Sequence, residues 1–440
     1  MVGGGGAARE HDVVGVGLGP FNLGLAALLA PVDDVDAVFF EARPAFSWHP
    51  GLLLDGTTLQ VPFLADLVTL ADPTSPYSFL NYLHDRGRLY RFYFYERFHV
   101  PRKEYDAYCR WVAAQLPSCR FGRRVVDVRP APSPDDGWSV RVGDEEHRAR
   151  AVVFGVGSVP HLPACVAGSH GDGDGVLGTD VFHSADYLTH RDRARRAGRV
   201  TVVGSGQSAA EVFADLLAAP GDRELHWYTR SRGFLPMEYS KLGLEHFTPE
   251  YTAYFHGLPE ARRDELRSGQ DLLYKGIDAE TSAQIFDALY EASIDGEDPP
   301  VTYASACELR SVEPCPTGAG LRLGFHHLDQ DRAFTHETDV LVLATGYEPA
   351  PLPIDPALLC LDGRGRPVVE LDYRLRLRDR PPGASTLFVQ NAEIHTHGVG
   401  APDLGLGAHR NAVLVNALTG RAVYPVRERN VFQSFGVPQR

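Results

Sequence analysis

The chain has 440 residues, enough for two or three domains around a well-buried core. Its formal net charge of −14 argues against nucleic acid and against an anionic membrane surface as partners. It contains no apolar run of about 18 residues, so no membrane span is predicted. The cysteines are scattered without a C-x-x-C pair, which argues against a redox disulfide, a zinc site and a secreted disulfide framework. These features indicate a cytoplasmic protein, with residues 1–10 as a Gly-rich, flexible leader.

A strand–turn–helix pattern opens the first unit. The apolar residues 13–16 lead into Gly17 and Gly19, and Leu and Ala then recur at helical spacing. Gly17 permits a tight turn, Gly19 lets the backbone approach a pyrophosphate, and the new helix offers free N–H groups and its positive dipole end. Asn22 replaces the usual third glycine, which weakens the match, but Glu41 stands about 20 residues on, where an acid should hold a ribose hydroxyl. The pattern favours a dinucleotide site over an ordinary Gly-rich loop.

A second strand–glycine–helix pattern follows at 199–211, with Gly204 and Gly206 in G-x-G-x-x-A. After the next apolar strand, Arg230 and Arg232 stand where an NAD site would carry an acid. Guanidinium groups suit the 2′-phosphate of NADPH, although two loop arginines could also be simply solvated. The distance from the glycines favours the phosphate interpretation, so one chain carries two dinucleotide fingerprints.

The absence of a redox cysteine pair narrows the chemistry of these two sites. Alternating residues at 124–129 and 138–142 indicate an antiparallel layer that is common in flavin-binding Rossmann domains. Hydride could pass from NADPH to a flavin, but a disulfide reductase would then need a C-x-x-C. Molecular oxygen is the remaining acceptor, and a flavin hydroperoxide would deliver an oxygen atom to a soft nucleophile.

At this point a family resemblance becomes specific. The chain resembles the flavin-dependent N-hydroxylating monooxygenases of siderophore biosynthesis, which act on ornithine, lysine or diamines. The matching segments are Gly17-x-Gly19-Pro20-Phe21-Asn22, Trp48-His49-Pro-Gly, Gln60-Val-Pro-Phe-Leu, Asp72-Pro-Thr-Ser-Pro-Tyr-Ser-Phe-Leu-Asn-Tyr-Leu83, Pro101-Arg-x-Glu-Tyr, Phe182-His183-Ser-x-x-Tyr187, Gly204-x-Gly-Gln207-Ser208-Ala-Ala-Glu211, Ala344-Thr345-Gly-Tyr347 and Thr396-His397-Gly398. The resemblance implies FAD at the first unit, NADPH at the second, a product hydroxylated on a terminal primary amine, NADP⁺ that stays bound to protect the hydroperoxide, and a homotetramer or homodimer.

The resemblance also implies roles for individual residues. Trp48, His49 and Gln60 would line the reactive face of the flavin, whereas without the family pattern Trp48 would be core packing and Gln60 a strand-edge amide. Gln207 and Ser208 would lie on the NADPH pyrophosphate. The remaining residues expected to contact a cofactor are Gly17, Gly19, Pro20, Phe21, Asn22, Glu41, Gly204, Gly206, Glu211, Arg230, Arg232, Thr345 and Leu406.

Departures from the family pattern point to the substrate. Ala65 stands where the ornithine branch carries a carboxylate-binding Lys, and Leu244 where it carries an Asn. A buried substrate carboxylate would therefore lack a partner, which is costly. A diamine such as cadaverine or putrescine fits better, and Asp66, Glu393 and Asp403 are the candidates for its distal ammonium. The attacking amine must be neutral, which an apolar pocket would favour by depressing its pKa.

Alternative functions stay open at this stage. Lys275, in a segment that resembles the lysine branch, could hold a carboxylate and so favours L-lysine N6-hydroxylation, with L-ornithine N5-hydroxylation beside it. A non-hydroxylating NADPH oxidase or reductase, or a nucleotide-sensing flavoprotein, would use the same two cofactor sites. His395 and His397 lack a matching Cys, Asp or Glu, so no metal is expected.

The expected architecture is α/β, with two Rossmann-like dinucleotide-binding domains and a small helical substrate-domain insertion. Residues 11–192 would form the first part of the FAD-binding domain, and 193–339 the NADPH-binding domain. The polar helical insertion would lie at about 241–300. Residues 340–440 would return to the FAD-binding domain and form a substrate-site tail.

Overall fold

The computed structural model describes residues 9–132, 137–167, 177–294, 296, 298–316, 318–381, 383 and 386–437. Residues 1–8 of the expected leader lie outside the described residues, and Arg9 and Glu10 already belong to the first strand. In the part of the chain that is described, no helix is both long and apolar enough to cross a membrane.

The strands are numbered in chain order. They are β1 (Arg9–Val16), β2 (Ala37–Phe40), β3 (Thr58–Pro62), β4 (His99–Pro101), β5 (Cys119–Arg120), β6 (Val125–Pro130), β7 (Trp138–Val142), β8 (Glu145–Phe154), β9 (Ser158–Pro160), β10 (Val181–His183), β11 (Arg199–Val203), β12 (Glu224–Tyr228), β13 (Val301–Ala304), β14 (Cys307–Pro314), β15 (Leu321–His327), β16 (Arg332–Thr338), β17 (Val340–Leu343), β18 (Tyr347–Pro349) and β19 (Leu387–Val389).

The helices follow the same convention. They are α1 (Pro20–Leu29), α2 (Phe79–Asp85), α3 (Leu89–Tyr95), α4 (Arg102–Gln115), α5 (Ala164–Ala167), α6 (Tyr187–Arg196), α7 (Gln207–Leu217), α8 (Pro249–His256), α9 (Glu260–Gly269), α10 (Ala279–Ala292), α11 (Ile394–His397) and α12 (Gly407–Thr419).

The first sheet has the order β5-β2-β1-β8-β7-β6, with β19 also pairing with β8. Strands β5, β2, β1, β8 and β19 run parallel, and β6 and β7 add an antiparallel layer at one side. The end of β1, 13–16, is wholly buried, as expected for a parallel strand covered on both faces. Helix α1 is apolar on nearly every side because it is enclosed between the sheet, α4 and α12.

The second sheet is entirely parallel, in the order β10-β17-β11-β12-β13. Helices α8, α9 and α10 interrupt it between β12 and β13, so the expected helical insertion is present. An antiparallel meander of β14, β15 and β16 packs beside it, which the sequence analysis does not anticipate. A largely parallel first sheet and a wholly parallel second sheet with a helical insertion confirm the predicted α/β fold class.

The pairing of two strands moves the domain boundaries. Strand β10, assigned to the first domain by the expected range 11–192, pairs with β17 in the second sheet. Strand β17, expected to begin the return at 340, lies between β10 and β11. Both corrections have one physical reason: a short apolar strand does not show which of two parallel sheets it joins.

Candidate active site

The first glycine turn has the geometry of a pyrophosphate cradle. Gly17 has φ of +82°, and a Cβ there would stand 2.6 Å from the carbonyl oxygen of Gly155, so only glycine fits. Gly19 caps α1 in an extended conformation, and a Cβ built on it would meet nothing within 4 Å. The helix N-terminus therefore faces open space, where its N–H groups and dipole favour an anion.

Glu41 lies beside this turn, as expected for a ribose-binding acid. It follows β2 directly, is nearly buried, and its Oε2 accepts a hydrogen bond of 2.9 Å from the Leu18 amide. Its Oε1 accepts from the Arg43 amide at 2.9 Å. The backbone thus fixes a carboxylate next to the cradle.

Asn22, which is predicted to contact a cofactor, has its side chain engaged within the protein. The side chain is fully buried, and its Nδ2 donates to the Gly17 carbonyl at 2.8 Å. Its Oδ1 accepts from Gln390 Nε2 at 2.8 Å, and a Cβ on Gly155 would strike it. Asn22 joins the ends of β1 and β8 to the C-terminal segment, so its polar atoms are engaged within the protein.

The second glycine turn repeats the cradle. Gly204 has φ of +146°, and a Cβ there would stand 2.1 Å from the Ala344 carbonyl oxygen. Gly206 caps α7, and a Cβ on it would meet only the Lys275 carbonyl oxygen at 3.9 Å.

The loop after β12 is held against this turn by hydroxyl groups. Ser205 Oγ and Ser231 Oγ lie 2.8 Å apart, which brings 229–232 beside the glycines. Arg230 and Arg232 are both exposed there, and Arg232 has only a long, solvent-exposed contact of 3.9 Å with Asp329. Their guanidiniums are available to a phosphate, as the NADPH prediction requires.

Trp48 and His49 lie where the two sheets approach each other. The rings are 4.7 Å apart, and Trp48 also contacts Tyr105 at 5.1 Å. The His49 ring stands 6.0 Å from Tyr347, which in turn packs 5.1 Å from His183. The motif residues Tyr347 and His183 had no assigned role in the sequence analysis, and the structure places them in the same aromatic cluster.

His49 is neutral at physiological pH. It is reached by solvent, yet the protein surrounding its ring and the positive charges of Arg102 and Arg43 lower its pKa to about 4. Its backbone is left-handed, with φ of +48°, which turns the chain into the helical turn Pro50–Leu52. A neutral imidazole can accept as well as donate a hydrogen bond.

A buried ion pair links the two domains near this cluster. Arg102 at the start of α4 donates to both carboxylate oxygens of Glu211 in α7, at 2.8 and 2.7 Å. The same guanidinium donates to the Leu52 carbonyl at 3.1 Å. Glu211 is predicted to contact a cofactor, and both of its carboxylate oxygens accept from Arg102 in this structure; the contact stays a prediction.

Gln207 extends this link into the helical insertion. Its Nε2 donates to Glu211 Oε1 at 3.1 Å and to Thr281 Oγ1 at 3.0 Å. Its Oε1 accepts from the Asp278 amide at 2.7 Å. The side chain predicted to lie on the NADPH pyrophosphate therefore ties α7 to α10, and its contact with the cofactor stays a prediction.

The other expected cofactor residues lie around the two turns. Gln60 is half-buried in β3, which pairs with β4 just before Arg102. Phe21 lies 4.6 Å under the Arg410 guanidinium, beneath the start of α12. The positions of the rest are Pro20 at the first residue of α1, Ser208 in the first turn of α7, Thr345 after β17 with its hydroxyl on the His161 carbonyl, and Leu406 buried against Gly400.

Asp66 is unsuited to hold a substrate ammonium, which corrects one of the candidates. It is buried, and its Oδ1 accepts from the amides of Val68 and Thr69. Its Oδ2 accepts from the Thr69 hydroxyl and from the Phe79 amide at 2.7 Å. Four donors occupy the carboxylate, so its function is to join two segments of the first domain.

Glu393, the second candidate for the substrate ammonium, is paired with a buried arginine. It is completely buried, and its Oε1 lies 3.2 Å from Arg410 Nη1, whose side chain is also buried. Its Oε2 accepts from the Ala392 amide at 2.7 Å. A charge that already neutralises a buried guanidinium is not available to a second cation.

Asp403, the third candidate, differs from Asp66 and Glu393 because it is not fully buried. It is partly exposed and caps the turn Leu404–Leu406, where the Gly405 amide donates to its Oδ1 at 2.7 Å and the Leu406 amide also interacts with the carboxylate. Burial raises its pKa to about 6, so it is ionised at pH 7. A Cβ on Gly405 would stand 3.9 Å from the Ala65 Cβ. The position that lacks the ornithine-branch Lys therefore adjoins the turn that carries an acid.

The side chain of Lys275 pairs with an acid of the helical insertion. Its Nζ donates to Asp271 at 2.7 Å, the side chain is about half exposed, and its carbonyl faces the Gly206 turn. The expected role of Lys275 as a carboxylate partner has no support in this pairing.

Tyr239 was not anticipated by the sequence analysis. It is half-buried, and burial together with the charges of Asp278 and Asp403 raises the pKa of its phenol.

Comparison with known proteins gives a consistent result. The chain is 47% identical over 98% of its length to the rhizobactin siderophore biosynthesis protein RhbE of Rhizobium meliloti, covering 96% of that protein. It is 39% identical over 97% of its length to a putrescine N-hydroxylase of Shewanella oneidensis, covering 84% of that protein.

Solved structures agree. The FAD-bound cadaverine monooxygenase DfoA of Erwinia amylovora superposes with a TM-score of 0.91 at 40% identity, over 98% of this chain and all of that one. An ornithine N-hydroxylase from Kutzneria with reduced FAD, NADP⁺ and L-ornithine gives a TM-score of 0.84 at 29% identity, over 94% and 99%. The L-lysine 6-monooxygenase/L-ornithine 5-monooxygenase family model matches residues 9–349. The chain is therefore a flavin-dependent N-monooxygenase of the L-lysine 6-monooxygenase/L-ornithine 5-monooxygenase family.

Proposed function

We propose that the protein hydroxylates one terminal primary amine of an aliphatic diamine, cadaverine or putrescine, using FAD, NADPH and O₂. This reaction would be the first step in making a hydroxamate siderophore. The observation that carries the proposal is the contrast among the candidate acids: Asp66 accepts four hydrogen bonds and Glu393 is completely buried beside Arg410, whereas Asp403 is partly exposed on a turn. Relatives named for putrescine and cadaverine hydroxylation support the same choice.

The residues at and beside position 65 favour a diamine over an amino acid as the substrate, because an acid adjoins a position that lacks the ornithine-branch Lys. Ala65 is buried and carries no cation for a carboxylate, and it adjoins the Asp403 turn. An ammonium group at this point would be paired, whereas an α-carboxylate would face Asp403 and be repelled. Specificity can be built from such repulsion against the wrong substrate as well as from attraction to the right one.

The two cradles fit the two cofactors. FAD would be held by the turn of Gly17 and Gly19 with Glu41 at the ribose, and NADPH by the turn of Gly204 and Gly206 with Arg230 and Arg232 at the 2′-phosphate. When bound, the cofactors supply the electrons and activate oxygen. The open space at Gly19 and Gly206, which any side chain would enter, supports this assignment.

The protein's own residues bind and orient the amine. Asp403 would hold the distal ammonium, which leaves the other amine directed toward the Trp48–His49 cluster. That cluster is aromatic and its imidazole is uncharged, so it favours the neutral, nucleophilic form of the amine. The packed rings of Trp48, Tyr105 and Tyr347 also limit access of water to the reacting groups.

We further propose that the enzyme acts in the cytoplasm as a homo-oligomer, a homotetramer or a homodimer.

The test of the substrate assignment is steady-state hydroxylamine formation with cadaverine, putrescine, L-lysine and L-ornithine. We expect kcat/KM to be at least tenfold higher for a diamine than for either amino acid. Faster turnover of L-lysine or L-ornithine would contradict the proposal.

A further inference from the structure

The chain that follows α12 crosses from the first domain to the helical insertion. It is fixed to the first domain by Tyr424, whose hydroxyl donates to the Leu28 carbonyl of α1 at 2.7 Å. The amide of Tyr424 also donates to Asn416 Oδ1 at 3.0 Å. Residues 430–436, called the 430–436 segment below, then lie against α8 and the helical turn Gly243–His246 that precedes it.

Four consecutive backbone amides of this segment donate to two carboxylates of the insertion. The amides of 430–431 donate to Glu250 in the first turn of α8, with a distance of 3.2 Å from Val431. The amides of 432–433 donate to the two oxygens of Glu245 in the helical turn, at 3.3 and 2.7 Å. Hydrogen bonds to an ionised carboxylate are stronger than those between neutral groups, so these contacts hold the segment and the insertion together.

Phe435 adds an aromatic contact to these hydrogen bonds. Its ring lies 5.0 Å from the ring of Tyr251, 5.5 Å from His246 and 6.2 Å from Tyr254. Tyr251 is buried, so Phe435 packs on a core residue of the insertion. Phe432 of the same segment is 93% exposed. The two phenylalanines therefore differ in whether their rings contact the insertion.

Helix α8 packs in turn on the stretch of chain that leads to Asp403. A Cβ on Gly398 would stand 3.1 Å from Phe255 and 3.3 Å from Tyr251, so the two rings lie directly on the helical turn Gly398–Gly400. The Asp403 amide donates to the carbonyl of the last residue of this turn at 3.2 Å. The side of α8 that faces the protein thus supports the candidate acid for the substrate ammonium.

The turn Gly243–His246 carries the second position that the sequence analysis connects with the substrate. Leu244 stands in this turn, where the ornithine branch has an Asn. Its amide donates to the Ser240 carbonyl at 2.9 Å, which fixes the turn to the residue after Tyr239. The charge of Asp403 contributes to the raised pKa of the Tyr239 phenol, in agreement with a short separation between these side chains.

We propose that the 430–436 segment positions the amine site, by holding α8 and the turn Gly243–His246 against the chain that carries Asp403. Phe435 and Glu245 are the positioning residues. This proposal rests on the assignment of Asp403 and Leu244 to the amine site in the proposed function, but it does not depend on which amine is bound. If the segment is released, the amine itself must order the turn when it binds, which lowers its affinity.

The first test compares the steady-state kinetics of Phe435→Ala with those of the wild type, using whichever amine the wild type hydroxylates best. We expect KM for the amine to rise by about tenfold, since binding then includes ordering of the turn. Both kcat and KM for NADPH should stay within about twofold, because a loss of binding alone raises KM for that ligand only. Phe432→Ala, which removes an exposed ring and keeps the amide, is the matched control and should behave as the wild type.

Two results would overturn the proposal. An unchanged KM for the amine in Phe435→Ala would show that the segment does not position the site. Equal increases in KM for the amine and for NADPH would show a general structural defect. A wild type that prefers L-lysine or L-ornithine would contradict the diamine assignment alone, because the effect of Phe435→Ala is then measured with that amino acid.

The second test follows amide hydrogen exchange by mass spectrometry, so its outcome is independent of activity. Glu245→Gln places a side-chain NH₂ group against a backbone N–H and leaves the aromatic contact intact, which makes it a second route to the same release. In Glu245→Gln and Phe435→Ala, the amides of 243–257 should exchange about threefold faster or more, while those of α1 keep the wild-type rate. Wild-type exchange at 243–257 in Glu245→Gln would show that the segment does not hold the turn.

Discussion

At the level of single residues, the proposed choice of a diamine depends on what already surrounds each candidate carboxylate. Asp66 accepts hydrogen bonds from Thr69 and Phe79, and Glu393 neutralises Arg410. Asp403 accepts from a turn amide, and the turn adjoins Ala65, which carries no charge. Its charge is therefore the one that a distal ammonium can use.

Replacing Asp403 with Asn should raise KM for the diamine by about 10–150-fold, because a hydrogen bond to a charged group contributes roughly 1.5–3 kcal/mol. The Asn side chain can still cap the turn, so folding should be preserved. Steady-state kinetics with cadaverine and putrescine measure the effect. Glu428→Gln, which removes an exposed acid, should leave KM unchanged. An equal KM in the wild type and the Asp403 variant would remove this residue from the site.

The pH dependence follows from the pKa of Asp403, which burial raises to about 6. The carboxylate binds the ammonium only when ionised, so binding is complete above this pKa and is lost as the pH falls through it. The kcat/KM of the wild type should therefore carry an acid limb near pH 6. The ratio of wild-type to Asp403→Asn kcat/KM, measured from pH 5 to 8, isolates this limb from titration of the substrate. A ratio that does not change with pH would contradict the assignment.

Selectivity for NADPH should depend on Arg230 and Arg232. Both are exposed beside the second glycine turn, where they would contact the 2′-phosphate. Arg230→Ala/Arg232→Ala should raise KM for NADPH by tenfold or more, since charge-assisted hydrogen bonds are lost. KM for NADH, which lacks this phosphate, is the internal control and should stay unchanged. Equal effects on both coenzymes would show that the arginines act by general destabilisation.

Sequence identified residues whose function depends on local geometry. The strained glycines and Glu41 follow from a strand, a turn and a helix in fixed order, and the structure places them as expected. The sequence did not show that the carboxylates of Asp66 and Glu211 are engaged within the protein and not available to a ligand. Their partners, Phe79 and Arg102, are distant in sequence and become neighbours only through folding.

At the level of elements, the Arg102–Glu211 pair connects α4 of the first domain with α7 of the second. Both side chains are nearly buried, and Gln207 carries the connection on to the start of α10. Helices α4, α7 and α10 are thus joined by one continuous series of hydrogen bonds. Boundaries between domains were misplaced for a related reason: β10 and β17 pair only across long stretches of sequence.

Removing one member of this buried pair should be costly. Glu211→Ala leaves the Arg102 guanidinium uncompensated and should lower the apparent free energy of unfolding by about 3–5 kcal/mol. Arg102→Leu/Glu211→Leu should cost less than either single replacement, because no buried charge remains. Urea denaturation measures both effects. Glu265→Ala, which breaks the exposed pair with Arg262, is the control and should cost about 1 kcal/mol or less. A similar cost for Glu211→Ala and Glu265→Ala would contradict a structural role for the pair.

At the level of the whole molecule, a mixed sheet and a parallel sheet each carry a glycine turn, at Gly17 and Gly204, and ring contacts join His49 of the first domain to Tyr347. One chain thus carries two turns of the kind that bind dinucleotides. Family membership and the match to DfoA support the same organisation. We propose that the enzyme transfers an oxygen atom to a diamine rather than releasing the reduced oxygen as hydrogen peroxide.

The most direct test measures hydroxylamine, hydrogen peroxide and NADPH consumption together, in protein supplied with FAD, NADPH, O₂ and cadaverine or putrescine. We predict close to one hydroxylamine for each NADPH consumed, with little peroxide, and faster NADPH consumption when the diamine is present. Peroxide equal to the NADPH consumed, regardless of the amine, would contradict the account and identify the protein as an oxidase.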